Sequence, residues 1–540
     1  MIIVNNNRND FEYDIHSLVK AFFPPEDVVV ITPGNPRTDQ ISGKEILAKI
    51  DIVFLEASET QAGADSIRCS FESQKEQCAD KRAVHSREAA ADFSKRRITK
   101  DALKQCLYHL LQEATGQNLP WGSLTGIRPA KIPMKMMEEG HSDEEIRAHM
   151  KETYFTSDPK IDLCMTVAKK ERDILNRLDA KNGYSLYVGI PFCPTTCAYC
   201  SFTSYPLAKW AERVDEYLDA LEKEIRFTGE YFDQTATGIR KNGTGAVERT
   251  GEAGRRHLDT VYIGGGTPTT LLPHQMDRLL TMLETHLDLS GVHEFTVEGG
   301  RPDSITREKL EVLRAHQISR ISINPQTMQQ KTLDLIGRRH TVEQTKESFL
   351  LAREVGFTNI NMDLIVGLPE ETIADVEDTL KQIEVLAPDN LTIHSLAIKR
   401  AARLKMQQED FSGMHMENTW ETIDLTAAYC EKMGLEPYYM YRQKNMAGNF
   451  ENVGYARPGC EGLYNILIME EKQTIMALGA GAITKFVLWP KEAGLDDSRE
   501  AVKDPRIVRV ENVKDISNYL ERTDEMIERK RSKMEELGLI

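Results

Sequence analysis

From about residue 183 to residue 400 the sequence alternates between short apolar runs and longer amphipathic segments. The apolar runs predict six strands, and the segments between most of them predict helices. Strand–helix units in series form parallel sheets with right-handed crossovers, so the alternation predicts either a doubly wound sheet or a partial (β/α) barrel. The predicted strands are Ser185–Ile190, Thr260–Ile263, Glu294–Glu298, Arg320–Asn324, Asn359–Val366 and Leu391–Ala397. The predicted helices are Leu272–Leu289, Ser304–His316, Val342–Val355 and Thr372–Leu386.

The rest of the chain divides into three further parts. Residues 1–100 predict a small β-rich domain, because short apolar runs there are bounded by Asn, Pro and Gly clusters. Residues 101–182 predict a helical connecting region, and residues 406–540 predict a separate C-terminal domain. The core spans residues 183–405 and contains a Gly- and Thr-rich stretch at 228–258, which predicts a flexible surface insertion.

The composition of the 540 residues excludes several classes of protein. Hydrophobic residues make up 40% and charged residues 28%, as in soluble globular proteins, which excludes the collagen, disordered and membrane-spanning classes. A formal charge of −16 argues against broad binding of nucleic acid or anionic membranes, because no general field attracts a polyanion. The amino terminus lacks the basic and apolar regions of a signal peptide, and we expect a cytoplasmic location.

Cys193, Cys197 and Cys200 bring three of the nine cysteines together at the end of the first predicted strand. Their Cys-x3-Cys-x2-Cys spacing has three interpretations. The thiols could be packing residues. They could hold a structural zinc ion, although such an ion takes four nitrogen or sulfur ligands and no Cys or His follows within fifteen residues of Cys200. They could also hold an iron–sulfur cluster, and three thiolates on a cubane cluster leave one iron open for chemistry.

Polar residues and glycines end the later predicted strands. Gly264, Gly265 and Gly266 follow the second strand, where glycines let the backbone approach a ligand closely, although a tight turn has the same composition. Glu298 ends the third strand, and in a barrel that edge is where active sites are built. Asp363 lies within an apolar strand and needs a partner or a ligand there.

Together these motifs resemble the oxygen-independent coproporphyrinogen III oxidase family of radical S-adenosylmethionine (SAM) enzymes. The resemblance is carried by Tyr187-Val-Gly-Ile-Pro-Phe-Cys193, by Gly264-Gly-Gly-Thr-Pro-Thr269 and by Met362-Asp-Leu-Ile-Val-Gly-Leu-Pro369. The run IPFCPTTCAYCSFTSYP and the long N-terminal extension are most similar to the HemZ branch of that family. The similarity is specific over residues 183–400 and extends more weakly to about residue 490.

The resemblance implies a partial (β/α)6 TIM-like radical SAM barrel, with an α+β N-terminal extension and a C-terminal substrate or lid domain. It implies that three cysteines are the metal ligands of a 4Fe-4S cluster with one open iron, which binds SAM and cleaves it to a 5′-deoxyadenosyl radical. The implied catalytic residues are Cys193, Cys197, Cys200 and Tyr187. The residues implied to contact SAM are Tyr187, Tyr199, Gly265, Gly266, Thr267, Glu298, Gln326, Arg338, Asp363 and Ala397. Core packing of the two tyrosines and an exposed helix-end position for the arginine remain open alternatives.

The substrate implied by the resemblance is coproporphyrinogen III, whose propionates need local cations in a protein of net negative charge. Lys399, Arg400 and Arg403 follow the sixth predicted strand and could form such a pocket, although a solvated basic run is equally compatible. The stretch from Tyr438 to Gly448 mixes aromatic and cationic residues, which suits either a lid over a macrocycle or an ordinary interdomain surface.

Two positions depart from the family pattern. Gly189 stands where the decarboxylating branch has a histidine, and Phe202 stands where it has a fourth cysteine. The heme-chaperone branch keeps the histidine and carries Phe at the second position, so the chain fits neither pattern wholly. We expect oxidative decarboxylation of propionates to vinyl groups, giving protoporphyrinogen IX, with a radical-SAM-fold heme chaperone as the alternative. The implied partners are an electron donor for the cluster and an electron acceptor, with no nucleic acid and no membrane span.

Overall fold

The computed structural model describes most of the 540-residue chain as two compact units. The first unit comprises residues 1–169 and 441–451, and the second comprises residues 170–440 and 452–540. None of the described helices is long and apolar enough to cross a membrane. The residues outside the description are 42, 61–62, 74–83, 127, 201–203, 232–238, 242–246, 250–255, 397–413, 415, 417, 443–449 and 490–504.

The first unit is built on a five-stranded mixed sheet. In spatial order its strands are Val28–Ile31, Ile2–Asn6, Ala48–Leu55, Ser66–Ser73 and Val84–Ala90. Neighbours are parallel among the first three strands and antiparallel from the third onward. The helices of this part of the chain are Glu12–Phe22, Thr38–Ile41, Arg96–Thr115, Lys131–Glu138, Asp143–Tyr154 and Asp158–Leu175. The short apolar runs Ile2–Val4, Val28–Ile31 and Ile52–Leu55, which predict strands, do lie in strands. The β-rich prediction missed the helix Glu12–Phe22, which buries Ile15, Leu18 and Phe22 at helical spacing.

The helix Arg96–Thr115 packs on this sheet. Its residues Leu103 and Leu107 are buried in one cluster with Val4 and Ile67 of the strands. The hydrophobic core therefore continues across residue 100, where the sequence predicts a boundary between a β-rich domain and a helical region. By its contacts the chain groups into two compact units. That the four predicted parts fold independently stays a prediction.

The second unit contains the six predicted core strands, which we call the first to sixth barrel strands. They are all parallel and are adjacent in chain order, as expected for a partial (β/α)6 barrel. The strands are Gly183–Ile190, His257–Gly265, Glu294–Gly300, Arg320–Ile323, Ile360–Val366 and Asn390–Ser395. The helices between them are Val214–Tyr231, Pro273–His286, Arg307–Ala315, Gln330–Leu335, Val342–Val355 and Ile373–Leu386. The barrel alternative is confirmed, and the doubly wound alternative is wrong.

Strands from the C-terminal region extend the barrel sheet at both edges. Thr474–Leu478 lies parallel beside the first barrel strand, followed by the antiparallel strands Ile483–Leu488 and Arg506–Glu511. At the other edge, Asn452–Ala456 pairs antiparallel with the sixth barrel strand, and Glu436–Tyr441 lies beyond it. The sheet is therefore continuous across residue 406, where the sequence predicts a separate domain. The remaining helices are Trp420–Lys432, Leu463–Glu470, Ile516–Glu521 and Thr523–Glu536.

The predicted insertion at 228–258 is narrower than expected. The preceding helix continues to Tyr231, and the second barrel strand already begins at His257. Between these points the structure describes a short antiparallel pair, Ile239–Lys241 with Val247–Arg249. The flexibility expected of this stretch remains a prediction.

Glu224, on the helix Val214–Tyr231, is a fully buried carboxylate that joins barrel and C-terminal elements. Its oxygens accept hydrogen bonds from the Lys530 ammonium at 2.5 Å, the Tyr519 hydroxyl at 2.5 Å, the Gly479 amide at 2.7 Å and the Asn512 side chain at 3.0 Å. Burial raises the pKa of Glu224, but Lys530 and these donors together hold that pKa below its usual value. The carboxylate stays charged because each of its oxygens is compensated.

We expect Lys530→Met to lower the free energy of unfolding by about 3–5 kcal/mol, because it leaves the Glu224 charge buried without its counter-ion. Urea unfolding followed by circular dichroism measures this loss. The control is Lys533→Met, which removes an exposed ion pair with Glu536 three residues away and should change stability by about 0.5 kcal/mol or less. Equal losses in the two variants would contradict the assignment of Glu224 and Lys530 as a buried supporting pair.

Candidate active site

The cysteine loop, residues 193–200, lies at the C-terminal end of the first barrel strand. Cys193 belongs to the short strand Phe192–Cys193, which pairs with Tyr205–Pro206. A hydrogen bond joins the loop to a distant part of the barrel: the Ala198 amide donates to the carbonyl of Ile336, just after the helix Gln330–Leu335, at 2.9 Å. A parallel barrel places functional groups at this edge, so the loop occupies the position that the sequence predicts.

The three loop cysteines take part in no disulfide among the described residues, and they are partly or fully buried. The Thr267 hydroxyl donates to Cys193 Sγ at 3.4 Å, and Cys200 Sγ lies 3.8 Å from the Ser204 hydroxyl. Burial raises the pKa of the Cys193 thiol to about 11, against the opposing effect of the Thr267 hydrogen bond. Within the described part of the chain, no three His, Cys, Asp or Glu side chains are arranged to hold a single metal ion.

The Gly264–Gly266 turn packs directly against the end of the first barrel strand. The Gly266 amide donates to the Ile190 carbonyl at 2.8 Å, and the Thr267 amide donates to the Phe192 carbonyl at 2.7 Å. A Cβ atom on Gly266 would lie 2.6 Å from the Phe192 carbonyl oxygen. Gly265 has a φ of +104°, which disfavours residues with side chains. The glycines are therefore required by the turn itself, and that turn brings Thr267 to Cys193.

Glu298 is a half-buried carboxyl near the end of the third barrel strand. One of its oxygens accepts a short hydrogen bond from the Tyr262 hydroxyl, and the other accepts from the Gly265 amide at 3.2 Å. Burial raises the pKa of Glu298 to about 7, and the Tyr262 hydrogen bond opposes that rise. The carboxyl can therefore hold or release a proton near neutral pH.

Three stacked tyrosines stand inside the barrel below Glu298. The ring centroids of Tyr262 and Tyr464 are 4.4 Å apart, and Tyr187 lies 6.3 Å from Tyr262 and 6.4 Å from Tyr464. Tyr464 belongs to the helix Leu463–Glu470, whose first two amides donate to the buried Glu294 side chain. The three aromatic rings exclude water from the space that they fill beneath Glu298. Tyr187 is thus a packing residue as well as a candidate contact.

The fourth barrel strand and the residues just after it carry buried polar atoms that have no hydrogen-bond partner among the described residues. Gln326 follows it with a φ of +69°, a left-handed conformation that is uncommon for a residue with a side chain. Gln326 Oε1, Asn324 Oδ1 and Ser322 Oγ are buried and find no hydrogen-bond partner among the described residues. Buried polar atoms are normally paired, so these three indicate a polar ligand that binds beside the strand.

Arg338 is buried and is not the exposed helix-end cation that was the alternative. Its guanidinium donates to the Tyr199 hydroxyl at 2.9 Å and to the Asn324 carbonyl at 2.6 Å. Its Nε finds no partner within the described part of the structure. Nearby His340 is fully buried, and burial together with the Arg338 charge lowers the pKa of its imidazole to about 3. Tyr199 and Arg338 therefore form one unit at the edge of the cysteine loop.

Asp363 points from the fifth barrel strand toward the same interior. Its Oδ1 accepts from the Asn361 side chain at 2.7 Å and lies 4.0 Å from His394 Nε2. Burial lowers the pKa of His394, which favours the neutral imidazole. Asp363 is thus partnered, although it is not fully buried.

Several predicted site residues lie outside the described residues. These are Ala397, Phe202, Lys399, Arg400 and Arg403, together with positions 443–448 of the predicted lid. The first residues of the predicted lid are described, and they do not form a lid. Tyr438, Tyr439 and Met440 are buried in the strand Glu436–Tyr441 and cannot cover a macrocycle.

Of the two positions that depart from the family pattern, Gly189 lies among the residues that the structure describes. Its carbonyl accepts from the Tyr217 hydroxyl at 2.7 Å. A Cβ atom added there would lie 3.3 Å from the Leu478 carbonyl oxygen and 3.4 Å from the Tyr187 ring, so a side chain at this position requires a small local adjustment.

The described residues fit a cofactor of the predicted kind. Three thiols share one loop, and a carboxyl with a pKa of about 7 lies beside the glycine turn. Buried amide, hydroxyl and guanidinium atoms nearby have no hydrogen-bond partner among the described residues. These groups offer both donors and acceptors, as a zwitterionic nucleoside requires. Of the ten predicted SAM contacts, eight lie on barrel strands or in the loops that directly follow them, and Arg338 lies just after the helix Gln330–Leu335. The tenth, Ala397, lies outside the described residues.

Sequence reasoning missed four residues that support this site. They are Tyr262, Tyr464, Asn324 and Arg301. Strand alternation could have identified Tyr262, because it lies two residues before Gly264 and so shares its face of the strand. No local pattern identifies Tyr464, which is far away in the chain.

Comparisons relate the chain to known proteins. Residues 187–383 match the family model of the radical SAM superfamily. The chain is 39% identical to the oxygen-independent coproporphyrinogen-III oxidase-like protein HemZ of Bacillus subtilis, over 79% of this chain and 80% of that protein. It is 30% identical to the heme chaperone HemW of Bacillus subtilis, over 55% of this chain and 70% of that protein. The solved coproporphyrinogen III oxidase HemN from Escherichia coli has 24% identity and a TM-score of 0.45, over 64% of this chain and 70% of that chain.

The pKa of Glu298 predicts a pH-dependent stability. Because burial raises this pKa to about 7, ionisation of the carboxyl costs stability as the pH rises above about 4.5, and the full cost applies above 7. We expect Glu298→Gln to be more stable than the parent, by an amount that grows by about 2–3 kcal/mol from pH 5 to pH 8. Urea unfolding at several pH values measures the difference. The control is Glu308→Gln on the exposed helix surface, whose difference in unfolding free energy from the parent should not change with pH. A pH-independent difference for Glu298→Gln as well would contradict the prediction.

Proposed function

This chain belongs to the oxygen-independent coproporphyrinogen III oxidase family of radical SAM proteins, in its HemZ branch, and we propose that it decarboxylates coproporphyrinogen III oxidatively. In each round a propionate loses a hydrogen atom from its β-carbon, carbon dioxide and one electron, which leaves a vinyl group. Two rounds give protoporphyrinogen IX. The observation that supports this proposal best is the set of three thiols on one loop beside buried polar atoms that have no described partner.

Membership in the radical SAM superfamily implies a 4Fe-4S cluster and SAM. In our proposal Cys193, Cys197 and Cys200 hold three irons of the cluster and leave the fourth iron for SAM. When bound, the two cofactors supply an electron and a carbon radical that takes the hydrogen atom. The chain's own task is to bind, orient and shield them.

The remaining site residues take up the polar parts of SAM. Glu298, with its pKa of about 7, accepts a hydrogen bond from an ammonium group when it is ionised. Gln326 and Arg338 offer the buried atoms that have no described partner, and Asp363 offers its second oxygen to a ribose hydroxyl. The tyrosine stack excludes water from beneath these groups, which protects a reactive radical and strengthens each electrostatic contact.

The substrate side of the proposal depends on residues outside the description. Lys399, Arg400 and Arg403 remain the candidates for propionate binding in a chain with a net charge of −16. We place the reaction in the cytoplasm, because an open cluster needs reducing surroundings. The cluster also needs an electron donor, and the reaction needs an acceptor for the electron that each propionate releases.

The second candidate is a heme chaperone that keeps the radical SAM fold without decarboxylation. The similarity to HemW favours it, and so does Phe202, since the heme-chaperone branch also carries Phe at that position. The glycine at position 189 favours neither candidate, because both branches have a histidine there. Both candidates share the cluster and SAM, so only the fate of the tetrapyrrole distinguishes them.

The deciding measurement is anaerobic. The protein is reconstituted with iron and sulfide, reduced with dithionite, and incubated with SAM, coproporphyrinogen III and an electron acceptor. We expect vinyl products in liquid chromatography with mass spectrometry, and none from Cys193→Ala, which lacks a cluster ligand. Stoichiometric binding of heme with no decarboxylated tetrapyrrole would instead support the chaperone.

A second measurement tests the SAM site separately. We expect Gln326→Ala to weaken SAM binding to the reconstituted protein by about tenfold or more, because a buried hydrogen bond to a polar or charged ligand is lost. Equilibrium dialysis with labelled SAM measures the dissociation constant. Gln317→Ala is a matched control, since Gln317 has a φ of +56° but is exposed. Equal affinities in the two variants would remove Gln326 from the proposed SAM site.

A further inference from the structure

Arg301 lies directly after the third barrel strand and contacts the middle of the cysteine loop. Its Nη1 donates to the Thr195 hydroxyl at 2.5 Å, and the Thr195 carbonyl oxygen lies at 3.5 Å. Thr195 stands between Cys193 and Cys197, and its hydroxyl also donates to the Gly337 carbonyl at 3.3 Å. One threonine therefore connects the loop to two distant parts of the barrel edge.

Asp303 fixes the direction of the Arg301 side chain. Its two carboxylate oxygens accept from Nε at 2.9 Å and from Nη2 at 2.6 Å, which makes a bidentate pair. The Arg301 side chain is only 4% exposed, so this pair is not loosened by solvent. Asp303 engages the guanidinium edge formed by Nε and Nη2, and Nη1 is directed at Thr195. A lysine has a single ammonium and cannot satisfy both partners in this geometry.

We propose that Arg301, held by Asp303, is a positioning residue for the cysteine loop and a fixed positive charge beside the proposed cluster. This inference rests on the proposed function. Outer-shell partners of metal ligands keep the ligands in place, and their loss typically costs 10–100-fold in metal affinity or activity. A buried cation also stabilises the more negative, reduced form of a cluster, which raises its reduction potential.

A purely structural role is the competing explanation. The Arg301 carbonyl accepts from the Ser304 hydroxyl at 2.7 Å, so the residue also belongs to the turn Pro302–Ser304. A variant that merely loosens this turn would lower overall stability without changing the potential of the cluster. The test must therefore read out the cluster itself, independently of activity.

The experiment compares Arg301→Gln, Arg301→Lys and the control Arg307→Gln. Arg307 lies six residues further along the chain and makes an exposed ion pair with Glu354 at 2.7 Å. Each full-length protein is reconstituted anaerobically with iron and sulfide, without SAM or substrate. Two quantities are measured: the rate at which a chelator removes iron, and the midpoint potential in a redox titration followed by electron paramagnetic resonance.

We expect Arg301→Gln to lose iron about tenfold faster than the parent and to have a lower midpoint potential. Arg301→Lys should also lose iron faster but should keep the parent's potential, because the charge remains. Arg307→Gln should match the parent in both measurements. A parental rate and potential for Arg301→Gln overturn the inference, and equal shifts of potential in the two Arg301 variants overturn the role of the charge.

A gentler variant keeps the test decisive if the Arg301 variants fail to fold. Thr195→Val removes the loop hydroxyl but leaves the pair of Arg301 and Asp303 intact. We expect faster iron loss with an unchanged potential, and iron loss at the parental rate overturns the positioning role. If the parent itself takes up no 4Fe-4S cluster, the proposed function fails together with this inference, whereas a loaded parent with unaffected variants refutes the inference alone.

Discussion

The candidate site depends on the parallel pairing of the barrel strands, because that pairing brings residues from distant parts of the chain to one edge. The register sets Tyr187 opposite Tyr262, and it sets Gly264 opposite Gly189. A shift of one residue would turn every interior side chain toward the surrounding helices. The continuous apolar character of the strands, which are covered on both faces, therefore determines where the carboxyl and amide groups at the strand ends can meet.

The interior of the barrel also requires contributions from outside the six strand–helix units. The helix Leu463–Glu470 supplies Tyr464 beneath Glu298, and Glu294 at the start of the third barrel strand accepts hydrogen bonds from the first amides of that helix. A carboxylate is favourable at a helix N-terminus, because the free amide groups and the helix dipole there attract negative charge. The C-terminal region is therefore a structural part of the barrel and of the surroundings of Glu298.

The positions of the six strands could be predicted to within about three residues, because buried parallel strands read as apolar runs bounded by turns. The cysteine loop, Glu298 and Gln326 could also be predicted, since each directly follows or ends such a run. Other features depend on tertiary contacts that no local pattern encodes. Tyr464 and Arg301 reach the site through packing, and the strand Thr474–Leu478 reads as an apolar run that could pair at either edge. The helix Glu12–Phe22 is different, because the helical spacing of its buried residues is visible in the sequence itself.

The pairing of Thr474–Leu478 with the first barrel strand has a consequence for how the chain folds during synthesis. The partner of Ser185 is Ile475, so one edge of the first strand stays without its neighbour until roughly 290 more residues have been made. At typical rates of about 5–20 residues per second, that interval lasts roughly 15–60 s. An unpaired apolar strand edge is a template for association with other chains throughout that time. The cysteine loop follows this same strand, so it too lies beside an unpaired edge during synthesis, and we expect nascent chains to need protection from aggregation.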